Sequence, residues 1–166
     1  MFHLIGAGDY GFQLYEFIKK NNLINKIKFV DDKLKFNIKK LLKNEEKIYF
    51  NITVGNTSIR EKIFLKFNRK NFIYKSIIFP NKNIYTNNIG IGCVLEPNIL
   101  IANNVVIGAG NFIFYGSCIA HNVTIGNFSN IGCNVVVSGN TKIKDRVHIG
   151  ANSFISNNLK ICSDVF

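Results

Sequence analysis

Two groups of residues in this 166-residue sequence have types and spacings that could do chemistry. The first is Gly6-Ala7-Gly8-Asp9-Tyr10-Gly11, a Gly-x-Gly-x-x-Gly run directly after the apolar segment Phe2 to Ile5, followed about 20 positions later by Asp31 and Asp32. Glycines there let backbone N–H groups approach phosphates at a helix N-terminus, and a carboxylate at the end of a second strand can accept from a ribose or a base. The same glycines could instead simply make a tight strand-to-helix turn. The second group centres on His121, in Ile119-Ala120-His121-Asn122-Val123-Thr124, where every neighbour is small, apolar or an amide. A neutral imidazole, with an unperturbed pKa of about 6.5, can take a proton at neutral pH. On residue type alone, His121 equally reads as one polar residue on the outside of a repeat.

The elements that must hold the first group read as a small α/β module. Phe2–Ile5 is a strand, and the glycine run opens a helix whose apolar residues are Phe12, Leu14, Tyr15, Phe17 and Ile18. Lys26-Ile27-Lys28-Phe29-Val30 is a second strand ending in Asp31-Asp32, and residues 47–56 hold a third that ends in Gly55-Asn56. A helix over 57–67 follows, opened by Thr57 or Ser58 with Glu61 at capping-box distance. Residues 72–80 form a short fourth strand. Alternating strands and helices give a parallel sheet with its ligand crevice at the carboxyl ends of the strands. The sheet is too short for both halves of NAD, which favours a mononucleotide or a sugar nucleotide.

The second group lies in a repeat. Every sixth residue from Ile89 to Ile161, thirteen in unbroken register, is Ile, Leu or Val. The residue after it is often Gly or Ala, and the residue four places on is small or β-branched in most units. A helix would carry this pattern round all its faces. A parallel β-helix accommodates it, each hexapeptide making one flat face and three making an 18-residue coil, with the aliphatics pointing inward. The Gly or Ala is expected near the corner, and Asn103, Asn104, Asn122, Asn134 and Asn152 at corner-like positions that favour left-handed backbone angles. The domains expected are 1–80 and 81–166.

Composition narrows the function classes. The formal charge of +11 is uneven, because residues 1–82 hold 17 of 21 Lys and Arg and 7 of 10 Asp and Glu, a net of +10. That excess is lysine interleaved with Asn and Ile, without a dense run or an RNA-binding signature, so it reads as a solvated surface with some preference for anionic ligands rather than a nucleic-acid site. Cys93, Cys118, Cys133 and Cys162 form no Cys-x-x-Cys pair and suggest neither a zinc site nor a disulfide framework. His121 and His148 are one and a half coils apart and His3 is in the other module, so no facing histidine set for a metal is expected. With no leader pattern and no apolar span, the expectation is a soluble, cytoplasmic protein that binds neither membrane nor nucleic acid.

The pattern [LIV]-[GA]-x-x-[STAV]-x, together with "GAGDYG", "VDD", "VGNTSIREKI" and "AHNVTIGNFSNIG", resembles the sialic acid O-acetyltransferase and bacillosamine and perosamine N-acetyltransferase family. The resemblance covers nearly the whole chain. It implies an α/β module with a short Rossmann-like parallel sheet, followed by a left-handed β-helix. It further implies a homotrimer that transfers acetyl from acetyl-coenzyme A to a UDP- or GDP-linked amino sugar, with no metal and no covalent intermediate. Carried over residue by residue, it puts substrate contacts at Gly8, Asp9, Tyr10, Asp31, Asp32 and Gly55. It makes His121 the general base with Asn122 beside it, and puts acetyl-coenzyme A contacts at Asn130, Gly139 and Ala151, the Gly139 amide facing the oxyanion.

The sequence departs from the family in several places. Asn122 replaces the usual acidic residue after the base; its amide oxygen can accept from a ring N–H but adds no charge. Asn130 stands where some members have a second histidine, Asp9-Tyr10 replaces a frequent Gly-His, and Phe79-Pro80 replaces a frequent His-Pro. The coils run to Phe166, where relatives continue further. These departures keep open a second reading, a degenerate sugar-nucleotide-binding or trimeric assembly protein of the same fold.

Overall fold

The computed structural model describes residues 1–34, 37–68 and 71–166, which divide into two compact units, Met1–Lys75 and Ser76–Phe166. The first runs β1 (Phe2–Ile5), α1 (Asp9–Lys20), β2 (Ile27–Val30), α2 (Ile38–Leu42), β3 (Ile48–Ile52), α3 (Thr57–Lys66) and β4 (Phe72–Tyr74). Its strands pair in parallel in the order β2-β1-β3-β4. Leu4, Ile5, Phe50 and Ile52 of the sheet are buried together with Leu14 and Ile18 of α1, the i, i+4 spacing of a helix stripe that faces a core. Two details differ from the sequence expectation. A five-residue helix, α2, follows β2 and is capped by Asn37, whose Oδ1 accepts from Lys40 N. Helix α3 is capped by Asn56 rather than by Thr57 or Ser58: Asn56 Oδ1 accepts from Ile59 N at 2.9 Å, while Thr57 is fully buried. Asparagine caps as well as serine, and here it stands one residue earlier with extended backbone angles.

The first turn is held from three sides. Gly6 has φ +111°, and a Cβ on Gly11 would fall on the Gly6 carbonyl oxygen, so α1 can approach β1 only through glycine. Thr53 Oγ1, buried after β3, donates to Gly6 O at 2.7 Å. Asp31 reaches across from β2, its Oδ2 accepting from Ala7 N (2.9 Å) and its Oδ1 from Lys33 N (3.0 Å). Those two N–H groups stabilise the carboxylate and hold its pKa below the ordinary carboxylate value.

The second unit is a parallel β-helix of two-residue strands: β5 (Ile77–Ile78), β6 (Val94–Leu95), β7 (Leu100–Ile101), β8 (Val106–Ile107), β9 (Phe112–Ile113), β10 (Cys118–Ile119), β11 (Thr124–Ile125), β12 (Asn130–Ile131), β13 (Val136–Val137), β14 (Lys142–Ile143), β15 (His148–Ile149), β16 (Phe154–Ile155) and β17 (Lys160–Ile161). They stack into three sheets, β15-β12-β9-β6-β5, β16-β13-β10-β7 and β17-β14-β11-β8. From β6 on, each strand pairs with the one 18 residues later, as in Ile113 with Ile131 and Ile119 with Val137. The aliphatic of every hexapeptide lies in one continuous core, where each fully buried Ile is worth about 1.5–3 kcal/mol. Residues 77–80, read from sequence as part of a fourth strand, belong instead to this stack, with Ile77 and Ile78 pairing with Val94 and Leu95. The break in register explains the difference: Ile84 bridges to Ile101 and Ile89 to Ile107, but these two isoleucines are five residues apart, not six.

The corners agree with expectation at Asn104, Asn122, Asn134 and Asn152. The left-handed residue is the third after each core aliphatic, at Asn98, Asn104, Asn122, Asn134, Asn140, Asn152 and Asn158, and equally at Phe128, Arg146 and Asp164. Asn103 is outside this set. The Gly or Ala immediately after the aliphatic is small for another reason: a Cβ on Gly132 would come within 2.7 Å of Ala151 N and 2.8 Å of Ile149 O in the next coil. Four places after the aliphatic, polar residues are buried and satisfied. Ser117 Oγ donates to Gly132 O, Ser129 Oγ to Lys144 O and Thr141 Oγ1 to Ser156 O, each fifteen residues ahead. No helix among the described residues is long and apolar enough to cross a membrane.

Two outcomes follow for stability. Gly132→Ala puts a methyl against backbone that cannot yield, and urea denaturation is expected to show a loss of about 1–3 kcal/mol. For Asp31, the depressed folded-state pKa means that its contribution is present above the unfolded value of about 3.9 and is lost as pH falls through the folded value. The stability gap between the wild type and Asp31→Asn is therefore expected to be present at neutral pH and to close in acid.

Candidate functional site

In the first unit, parallel pairing puts the carboxyl ends of β1, β2 and β3 on one edge, and with them the Gly6–Tyr10 turn, Asp31-Asp32 and Gly55. A cleft of about 120 Å³ opens there, lined by Gly6, Asp31, Asp32, Ile38, Val54 and Ile63. A neighbouring cleft of about 450 Å³ shares Asp32 and Ile38 and adds Lys39 and Lys66. Helix α2, which sequence reading missed, thus forms a wall of both. A third hollow of about 410 Å³, lined by Met1, Phe2 and Ile24, lies at the opposite end of the strands, away from the glycine turn.

The expected substrate residues divide by environment. Asp31 is committed to backbone N–H groups and ties the turn down, while Asp32 is exposed at the junction of the two clefts. Gly6 and Gly11 are needed for packing; a Cβ on Gly8 or on Gly55 would meet nothing within 4 Å. Gly8 caps α1 without any side-chain hydrogen bond, and a helix N-terminus of this kind favours an anionic ligand. Asp9 is exposed and Tyr10 half-buried beside it. Sequence reading missed Arg60. This fully buried side chain on α3 donates from Nη1 to Val54 O (2.7 Å) and Gly55 O (3.2 Å), fixing the loop after β3. A signal was available, since the chain places Arg at only three positions, 60, 69 and 146, against 18 Lys. A buried cation needs the planar, multidentate guanidinium rather than an ammonium.

In the second unit, His121 is exposed at the corner between β10 and β11. Its ring rests on Gly139, the residue one coil further: a Cβ on Gly139 would lie 2.7 Å from the ring Cε1 and 2.9 Å from Nε2. Only glycine leaves that seat. Asn122 Nδ2 is 3.2 Å from His121 Nδ1 and donates to Asn140 Oδ1 at 3.0 Å. His121 is therefore held by amides, without a carboxylate hydrogen-bonded to its ring among the described residues.

The other residues carried over for the acyl donor lie elsewhere on the protomer. Asn130 is buried on β12, its Nδ2 3.4 Å from His148 Nδ1, in a sheet that contains neither β10 nor β11. Ala151 is exposed at the corner after β15. One chain thus brings Gly139 to His121 but leaves Asn130 and Ala151 at other parts of the column. His148, on β15, is also away from the His121 corner.

Residues 122–157 match the family model of the bacterial transferase hexapeptide, six repeats. A search of curated proteins finds no match. Among solved structures, the chain is similar to PerB from Caulobacter crescentus in complex with CoA and GDP-perosamine, with TM-score 0.74 and 16% identity, covering 97% of this chain and 91% of that one. It is similar to the acetyltransferase domain of PglB from Neisseria gonorrhoeae (TM-score 0.59, 21% identity, 95% of this chain and 92% of that one). It is similar also to WeeI from Acinetobacter baumannii (TM-score 0.65, 15% identity, 97% and 93%). With the three stacked parallel sheets, these findings fit a left-handed β-helix. Residues 122–157 thus match the bacterial transferase hexapeptide, and the chain has the fold of PerB, WeeI and the PglB acetyltransferase domain.

Proposed function

We propose that this protein is an acetyl-coenzyme A-dependent N-acetyltransferase acting on a nucleotide-linked amino sugar, working as a cytoplasmic homotrimer. The observation that carries the reading is the exposed imidazole of His121 seated on the glycine of the next coil, in a chain whose fold matches PerB over 91% of that protein's length. The complex of PerB with CoA and GDP-perosamine supports the two substrate classes. An outward row of Leu100, Val136 and Phe154 on one sheet, 38%, 38% and 68% exposed, supports association of copies through that face.

In this reading the first unit is a short Rossmann-like module that holds the nucleotide. The start of α1 at Gly8 serves the phosphates, with Asp9 and Tyr10 beside it, Asp32 serves the ribose or base, and Gly55 lets the ligand approach closely; Asp31 keeps the turn in shape. His121 takes the proton from the sugar amine as the nitrogen attacks the thioester carbonyl. The C–N bond forms as the carbonyl π pair moves to oxygen, where the Gly139 amide donates to the oxyanion. When that pair returns, the C–S bond breaks and the thiolate of coenzyme A leaves, to be protonated by the imidazolium or by water. Asn122 holds the ring, and Asn130 and Ala151 contact the acyl donor, in a trimer from more than one copy.

The test is thiol release from acetyl-coenzyme A with UDP- and GDP-linked amino sugars. His121→Ala is expected to lose about 10²–10⁴-fold in turnover. Equal, slow release by wild type and variant would instead select the non-catalytic reading, as would calorimetry that finds nucleotide-sugar binding without acetyl-coenzyme A binding. Gly139→Ala displaces the ring rather than the backbone, so turnover is expected to fall about 10²-fold while the unfolding midpoint hardly moves. Asp32→Asn is expected to weaken nucleotide-sugar binding, read as a smaller ligand-induced rise in melting temperature, with no change in affinity for acetyl-coenzyme A.

A further inference from the structure

Asn122 is the middle rung of a column. Asn104, Asn122 and Asn140 occupy the same left-handed corner slot in successive coils, with φ of 60°, 59° and 59°. Asn104 Nδ2 donates to Asn122 Oδ1 (3.2 Å) and Asn122 Nδ2 donates to Asn140 Oδ1 (3.0 Å). The same Nδ2 faces His121 Nδ1 at 3.2 Å. A carboxamide has one donating and one accepting end. The sense in which the row is threaded therefore decides which end of Asn122 the ring meets.

With donors pointing from Asn104 towards Asn140, the ring meets an N–H. His121 Nδ1 must then offer its lone pair, and the neutral ring carries its proton on Nε2. With the row reversed, Asn122 Oδ1 accepts from Nδ1–H, and Nε2 holds the lone pair that a base needs. The reversed sense also suits the imidazolium, whose Nδ1–H would otherwise confront another N–H. Turning one amide alone sets like ends face to face, so the three turn together.

We propose that the asparagine column 104–122–140 selects the tautomer of His121, that its resting sense keeps the proton on Nε2, and that its reversal readies Nε2 to accept one. Asn104 and Asn140 are then positioning residues that never touch substrate. Only the catalytic consequence rests on the acetyltransferase reading; the tautomer does not.

Two isosteric variants oppose one another. A carboxylate only accepts, so Asn140→Asp locks the resting sense, whereas Asn104→Asp draws Asn122 Nδ2 towards itself and turns Oδ1 to the ring. Each adds one negative charge one coil from Asn122, and Asp is compatible with a left-handed corner of this solenoid, as Asp164 at φ 61° at another corner demonstrates. The measurement is nitrogen–proton correlation NMR of 15N-histidine-labelled protein at about pH 9, where imidazole is neutral, with the His121 signals identified by their loss in His121→Ala. Wild type and Asn140→Asp are expected to show mainly the Nε2–H pattern, and Asn104→Asp mainly the Nδ1–H pattern. Identical spectra, or a shift in the same direction in both variants, would overturn the proposal. Should either Asp variant fail to fold, Asn140→Ala removes the acceptor that holds the amide and is expected to give a mixture; an unchanged Nε2–H pattern would again overturn it. Thiol release measured in parallel is expected to be about tenfold faster in Asn104→Asp than in Asn140→Asp. A tautomer exchange without thiol release in any form sustains the column and sinks the acetyltransferase reading; thiol release without tautomer exchange does the reverse.

Discussion

Stacking at constant pitch is the constraint on which the second unit depends. Each coil must close after 18 residues so that its strands meet those of the next in register. Three corners per coil achieve this, each turned by one residue in the left-handed region. Asparagine tolerates that region best among residues with a side chain, but Phe128 and Arg146 adopt it too, each with local compensation. Phe128 is buried against the bare Cα of Gly110. Arg146 forms a two-bond pair with Asp164 in the same slot of the next coil, at 2.7 and 2.9 Å. In every case the partner one coil away makes the corner possible.

The same stacking explains how polar groups enter the core at little cost. A buried hydroxyl without a hydrogen-bond partner bears its full desolvation penalty. Ser117, Ser129 and Thr141 each find a backbone carbonyl in the next coil, because the corner turns those carbonyls towards their slot. The first unit solves a comparable problem by different means: Arg60 on α3 and Asp31 after β2 satisfy backbone carbonyls and backbone N–H groups, respectively, that the loops leave over.

The solenoid was legible because its core signal repeats: an aliphatic at every sixth position has no competing explanation, and the observed core carries it from Ile89 to Ile161. Residues 77–84 escaped because a single five-residue step removes them from the period. Helix α2 escaped because five residues are too few to show a helical stripe. At the site, a spacing of 18 suffices to stack Gly139 beneath His121, so that pair could be read in advance. The environment of Asn122 could not, since it depends on which end of an amide faces a ring, and linear spacing carries no such information. The roles of the glycines in the first turn were likewise hidden until the positions of Thr53 and Val54 were known.

Because equivalent residues recur one coil apart, the column behaves like a ruled page on which every side chain has a line and a margin position. Removing six residues would carry everything downstream to a different face, and removing one would misalign it altogether. Excising 18 between two corners would leave each later residue in its original column, merely one storey nearer. Such a chain can gain or lose length in whole storeys without disturbing the geometry around His121, provided that the storeys carrying Asn104, Asn122 and Asn140 stay adjacent.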